Sequence, residues 1–302
     1  MMPLPSPPLY DAADTARRLA YPKLVDALAA AVLEHSRGEI SAPERQVVPF
    51  PGGGVMLSMP ATAHDIGIHK LVNVFPDNHQ HRLPTINGVV SVYDGSTGRV
   101  LEVLDGPTVT ARRTAALSML GIRTFLHGRV PSHVVLIGTG TQSVGHAQAL
   151  AALYAGLRVT VLGTSAHKSA QFVHDHAALD LDLHAHDQIP DDADVVITLT
   201  TSRTPVYHLA ARADRLLIGV GAFKPELAEI APDTLRASRI FVDDPAGARH
   251  EAGDLIQARC NWDAIQPLAA ALQSPPDRGH PVVFKTVGCA AWDLAAARCA
   301  LT

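Results

Sequence analysis

From Val134 to Ala151 the chain reads VVLIGTGTQSVGHAQALA: four apolar residues in succession, a glycine-rich turn, then small and apolar residues at helical spacing. A short apolar run bounded by turn residues suits a strand buried on both faces, so the pattern predicts strand, tight turn and helix. Further apolar runs follow at the spacing of an alternating β/α chain: RVTVLG from Arg158, DVVITLT from Asp194, RLLIGVG from Arg215 and RIFVDD from Arg239. Between them, SAHKSAQFVHDHAAL and PELAEIAPDTLRAS have helical composition, which predicts a parallel sheet covered on both faces.

The glycine turn gives this α/β pattern a chemistry. Gly138 permits the turn, Gly140 lets the backbone approach a pyrophosphate, and the free N–H groups of the next helix favour its negative charge. Ser143 takes the third small position. The expectation is a Rossmann dinucleotide-binding domain over residues 121–284, with Gly138, Gly140, Thr141, Gln142 and Ser143 at the cofactor.

The first third follows a different pattern. Pro22 to Gly38 places Leu24, Ala27, Leu28, Ala31 and Val32 at helical spacing and stops at a glycine. GVMLSMP, DIGIHKLVNVFP, NGVVSVYD and GRVLEVLDG have strand composition, and DGSTG joins the last two as a hairpin. An α+β domain on an antiparallel sheet is expected, followed by a long helix in TVTARRTAALSMLGIRTFLHG.

Composition narrows the partners. In 302 residues a formal net charge of -4, with dispersed charges, leaves no basic footprint for nucleic acid. Cys260, Cys289 and Cys299 lack CxxC spacing and suit a reduced, cytoplasmic protein. MMPLPSPPLY lacks the pattern of a secretory signal. Residues 130–157 contain no Asp, Glu, Lys or Arg, but their glycines and polar residues belong to the strand-turn-helix rather than to a membrane span. The HxH pairs His79/His81, His174/His176 and His184/His186 lack the further converging ligands of a metal site, and none is expected. No GxSxG nucleophile elbow occurs.

Arg45, Lys70, Arg112 and Arg113 are the cations of interest. A lone lysine usually snorkels to solvent, but Lys70 sits inside an apolar strand, where an ammonium is expensive to bury unless an anion meets it.

Arg45, LSMP, KLVNVFPDN, LPTINGVVSVYDGSTGRVLEVLDG, TARRTAALS, the glycine turn, TTSRTPV, GVGAFKPELAEI, VFKTVG and the later Asp293 together resemble the ornithine cyclodeaminase/mu-crystallin family over nearly the whole chain. The resemblance implies a substrate-binding and dimerisation domain from residues 1–120 and 285–302, a homodimer formed through its sheet, and an active site in the interdomain cleft. It assigns Arg45, Lys70 and Arg113 to the carboxylate of a small imino or amino acid and to catalysis, with Arg112 as a spare. It adds Thr200 and Thr201 at the cofactor. Lys285 is brought near the site as a cofactor contact or stands as a surface cation, and Asp293 orients one of the cations.

Two departures point to the reaction. Where ornithine cyclodeaminases carry a glutamate before the MP dipeptide this chain has Leu57, and where they carry an aspartate in the later glycine loop it has Phe223, expected at the substrate. A carboxylate suits binding of a distal ammonium and proton transfer during ammonia loss, and these side chains do not. Reduction of a cyclic ketimine acid, 1-pyrroline-2-carboxylate or 1-piperideine-2-carboxylate, to L-proline or L-pipecolate is therefore expected. Ornithine cyclodeamination and ligand binding with little turnover are the alternatives. After the second Rossmann strand, VLGTSAHKS has no acid for a ribose hydroxyl. Thr164, Ser165, His167 and Lys168 instead offer donors to a 2′-phosphate, so NADPH is favoured, with NADH possible.

Overall fold

The computed structural model describes residues 6–302 apart from the side chain of His79, so the reading of the first five residues and of that histidine lies outside the described residues. The chain divides into two compact units, residues 1–113 with 289–302, and residues 114–288. The division falls at 113/114 and 288/289 rather than at the expected 120/121 and 284/285, so the VFKTVG segment belongs to the second unit.

The first unit begins with α1 (Ala12–Arg18), capped by the Asp11 carboxylate, and α2 (Tyr21–Ser36). Gly38, at φ 76°, ends the helical run in a left-handed conformation. Five antiparallel strands follow in simple meander order: β1 (Gln46–Pro49), β2 (Val55–Thr62), β3 (Ile66–Val74), β4 (Ile86–Asp94) and β5 (Val100–Asp105). β1 is a strand that the hydrophobic pattern did not reveal, and all four of its residues are exposed. On β3, residues 66, 68, 70 and 72 are buried while 69, 71 and 73 are half-buried, so the pleat sends Lys70 to the same face as Ile68 and Val72. That face is covered by the C-terminal helix, which packs on β2, β3 and β4 and against α2 on its other side.

The chain passes into the second unit within α3 (Gly106–Phe125), the long helix expected there. Then come β6 (His133–Ile137), α4 (Thr141–Leu153), β7 (Leu157–Leu162), α5 (Ala166–Asp175), β8 (Leu181–Ala185), β9 (Val195–Thr198), β10 (Leu216–Gly219), α6 (Pro232–Arg236), β11 (Arg239–Val242), α7 (Pro245–Glu251), α8 (Gly253–Gln257), β12 (Gln266–Pro267), α9 (Leu268–Gln273) and β13 (Val282–Lys285). The C-terminal helix α10 (Ala290–Leu301) returns to the first unit. The eight strands are all parallel, in the order β12-β11-β13-β10-β9-β6-β7-β8. β6, β9 and β10 are buried throughout, as continuous apolar runs require.

The order runs outward from β6 to β8 and resumes on the other side of β6 at β9. The reversal opens a crevice at the carboxyl ends of β6 and β9, where doubly wound sheets bind ligands.

PELAEIAPDTLRAS is helical only over Pro232–Arg236. Its first half is a turn at Pro225–Glu226 followed by irregular chain held by side-chain bonds that composition does not reveal. Among the described residues, no helix is long and apolar enough to cross a membrane, and no group of three or more metal-ligating side chains converges.

Candidate active site

Lys70, on β3, lies between Met59 of β2 and Val90 of β4. Its Nζ reaches Asp293 Oδ2 at 2.6 Å, and Asp293 Oδ1 accepts from Arg113 Nε at 3.3 Å. Asp293 sits in the first turn of α10, a helix otherwise apolar along this stretch, and is 0% exposed; Lys70 is 2% and Arg113 7% exposed. Two buried cations therefore share one carboxylate. Burial pulls the Lys70 ammonium down to about 8; Asp293 raises it, while Arg113 and Arg45 push it lower. Arg45 thus acts on Lys70 as a further positive charge. The cluster carries more positive than negative charge, which suits the carboxylate of a ligand.

The structure separates Arg113 from its neighbour. Arg112 donates from Nε to the Leu19 carbonyl at 2.9 Å and stacks over the Tyr21 ring at 4.0 Å, so it anchors α3 to the segment between α1 and α2 rather than being a loose surface residue. Leu57 pairs with Val72, two residues along β2 and β3 from the Met59–Lys70 pair, and so lies on the face that carries Lys70. An apolar side chain thus shares the face of the sheet that carries the ammonium.

In the second unit, the turn after β6 has the geometry its glycines predict. Gly138, at φ 128°, comes so close to the segment after β9 that a Cβ would lie 2.7 Å from the Leu199 carbonyl oxygen, whereas a Cβ on Gly140 would meet nothing within 4 Å. The first requires glycine, and the second leaves open backbone. Helix α4 begins at Thr141 with no side-chain cap and no acid in its first turn, so its leading N–H groups face an anion unopposed. Gln142 Oε1 and Ser143 Oγ are buried without a hydrogen-bond partner among the described residues. These features fit a dinucleotide.

After β7, Ser169 Oγ accepts from Gly163 N at 2.7 Å and Ser165 caps α5 by accepting from Lys168 N. Thr164, Ser165, His167 and Lys168 are exposed, and the first turn of α5 holds no acid.

Thr200 is half-buried and Thr201 exposed after β9, while Phe223, after β10, is 38% exposed. Between them lies a residue the sequence reading missed. The Glu229 carboxylate, 0% exposed, accepts from Thr200 N (2.6 Å), Thr200 Oγ1 (2.9 Å), Thr198 Oγ1 (2.9 Å), Gly221 N (2.6 Å) and Ala222 N (3.1 Å). Burial raises its pKa and the Lys285 ammonium lowers it. The only sequence signal was a glutamate in PELAEI, lost among ordinary helix formers.

Lys285 is not where it was expected. It is neither a surface cation nor presented to a cofactor: it is 0% exposed, with Nζ 3.3 Å from Asp254 Oδ2 and donating to the Gly219 carbonyl. An ammonium enclosed in the parallel sheet has no surface left for a ligand.

The model of the ornithine cyclodeaminase/mu-crystallin family matches residues 9–300. The chain is 56% identical over 298 residues to the Delta(1)-pyrroline-2-carboxylate/Delta(1)-piperideine-2-carboxylate reductase of Azospirillum brasilense, covering 97% of this chain and 94% of that protein. It is 55% identical over 305 residues to Delta(1)-pyrroline-2-carboxylate reductase 1 of Burkholderia multivorans, covering 99% and 97%. In fold it resembles the Thermococcus litoralis Delta(1)-pyrroline-2-carboxylate reductase, solved in complex with NADH and L-proline, with a TM-score of 0.84 at 22% identity over 97% of this chain and 95% of that one. With a family model spanning nearly all of its length and relatives more than half identical to it, the chain belongs to the ornithine cyclodeaminase/mu-crystallin family.

Proposed function

We propose that this chain reduces a cyclic ketimine acid, 1-pyrroline-2-carboxylate or 1-piperideine-2-carboxylate, to L-proline or L-pipecolate, using NADPH in preference to NADH. The observation that carries the reading is the buried cluster in which Lys70 and Arg113 share Asp293, with apolar Leu57 on the same face of the sheet as Lys70. It has charge for one carboxylate and no second acid for a distal amine. The relatives named as pyrroline-2-carboxylate reductases support the same substrate class.

Arg113 and Arg45 hold the substrate carboxylate, a guanidinium being able to present two parallel donors to it. Lys70, poised near neutrality, keeps a proton on the imine nitrogen, which makes the adjacent carbon more electrophilic. Asp293 fixes both cations. Bound nicotinamide cofactor supplies the hydride that completes the new C–H bond. Gly138, Gly140, Thr141, Gln142, Ser143, Thr200 and Thr201 are the residues we assign to holding it, with Thr164, Ser165 and Lys168 at the 2′-phosphate. Proton and hydride together convert C=N to CH–NH.

The absence of an acid at Leu57 and Phe223 disfavours the ornithine cyclodeaminase alternative, and the poised Lys70 disfavours a purely ligand-storing role. We assign the protein to the cytoplasm, as a homodimer formed through the outer face of the five-stranded sheet, where Val48 and Val89 expose apolar surface. The test is loss of reduced-cofactor absorbance on adding each imino acid, with NADPH and NADH compared. Consumption with either imino acid, faster with NADPH, is expected. Consumption with neither would sink the proposal.

A further inference from the structure

Among the buried ionisable side chains of the second unit, Glu229, Asp254 and Lys285, each at most 1% exposed, form one connected group that the chemistry above does not use. Two carboxylates and one ammonium are costly in an apolar core, and a well-packed hydrophobic trio of similar volume would hold the fold as well or better. Their contacts suggest another use.

Lys285 Nζ meets Asp254 Oδ2 at 3.3 Å, and Asp254 Oδ1 accepts from the backbone N–H groups of Glu229 (2.5 Å) and Ile230 (2.9 Å). The ion pair thereby fixes the backbone that carries Glu229. The Glu229 carboxylate then divides its two oxygens between two loops. Oε1 takes the amide and hydroxyl of Thr200, after β9, and Oε2 takes the Thr198 hydroxyl and the amides of Gly221 and Ala222, after β10. The loops are packed so closely that a Cβ on Gly221 would stand 1.8 Å from the Thr200 carbonyl oxygen.

We infer that Glu229 is a positioning residue, a carboxylate clamp seated by the Asp254–Lys285 pair, which sets the register of the Thr200–Thr201 loop against the Gly221–Phe223 loop. This rests on the reading above, because those loops carry the residues assigned to cofactor and substrate. It also explains why Lys285 is buried. An amide cannot replace this carboxylate: whichever oxygen of Glu229 becomes NH2 faces backbone N–H donors, so one loop must let go.

The test compares wild type, Glu229→Gln and the gentler Thr198→Val, which removes a single hydroxyl from the clamp. In the cofactor-free protein, amide hydrogen exchange at Thr200, Gly221 and Ala222 should rise about tenfold or more in Glu229→Gln, and by less in Thr198→Val, with the rest of the sheet still protected. Cofactor binding, followed by fluorescence titration, should weaken in the same order. In turnover, kcat should fall and the primary isotope effect with 4-deuterated NADPH should rise. A residue serving stability alone would lower the folded fraction without moving either the isotope effect or these three amides selectively. Wild-type exchange and cofactor affinity in a folded Glu229→Gln protein would overturn the inference, and so would exchange rising uniformly across the unit. Should wild type turn over neither imino acid, the reductase reading falls, while exchange and cofactor binding still decide the role of Glu229.

Discussion

Lys70 and Asp293 come from opposite ends of the chain, one from the middle strand of an antiparallel sheet and the other from the last helix, yet Nζ and Oδ2 are 2.6 Å apart and both side chains are sealed from solvent. Asp293 also serves Arg113, so the carboxylate half-neutralises two cations, and burial, only partly opposed by it, leaves Lys70 titrating at about 8 instead of 10.5. A proton donor whose affinity lies close to neutral pH is suited to exchanging protons with an imine.

The pH profile should therefore show this lysine. If protonated Lys70 is required, kcat/KM for the imino acid falls as pH rises through about 8, and Lys70→Met removes that limb along with most of the activity. The effect on stability has the opposite sign. Below about 8 both the folded and the unfolded chain bind the proton, and burial costs its full amount, roughly 3 kcal/mol. Between about 8 and 10.5 only the unfolded chain keeps the proton, so this group's contribution to stability rises with pH across that window. Activity and denaturation profiles measured over the same range check both signs.

Asp293→Asn leaves two buried cations without their shared counter-charge. A loss of about 3–5 kcal/mol in denaturant unfolding is expected. Because Asp293 is what raises the Lys70 pKa against burial, the descending limb of kcat/KM should move below 8 in whatever protein remains folded.

Arg113→Lys replaces a planar fork with a point charge. It should raise KM for the imino acid by about tenfold, and Arg113→Ala or Arg45→Ala by more, with cofactor affinity unchanged. An equal loss of cofactor affinity would show that these arginines do not act on the carboxylate alone.

On the proposed reading, the turn after β7 meets the 2′-phosphate and sets the choice of cofactor. Thr164→Asp places a carboxylate before the Ser165 cap of α5, where it repels a 2′-phosphate and accepts from a ribose hydroxyl. The ratio of kcat/KM for NADPH to that for NADH should fall about tenfold or more. An unchanged ratio would place the phosphate elsewhere.

The parallel sheet was legible because its central strands are buried on both faces and so read as unbroken apolar runs, as Val134 to Ile137 do. β1 was not, since QVVP is four residues long and its adjacent valines show neither alternation nor a sustained apolar run. β8 was missed because LDLHA alternates polar and apolar residues and only half-buries the latter. Arg45, Lys70 and Arg113 stood out as cations, but Asp293, the carboxylate that Lys70 and Arg113 share, could be named only as a modifier of one of them. Glu229 was invisible for a similar reason. What distinguishes it is the set of five donors that meet it, three of them from Thr198 and Thr200 at the end of β9 and two from the backbone after β10, so only the fold assembles them. PELAEI, which has helix-forming composition, is drawn into a turn and irregular chain by those bonds and by the Asp254 carboxylate beneath it.

The central claim is tested most directly by offering the wild-type protein NADPH with 1-pyrroline-2-carboxylate, and NAD with L-ornithine, in parallel, and measuring proline and ammonia. Proline formed mole for mole with NADPH consumed, and no ammonia from ornithine, is the predicted result. Ammonia release from ornithine without NADPH-dependent reduction of the imine would contradict it, and would mean that a site with Leu57 and Phe223 in place of carboxylates can still carry out cyclodeamination.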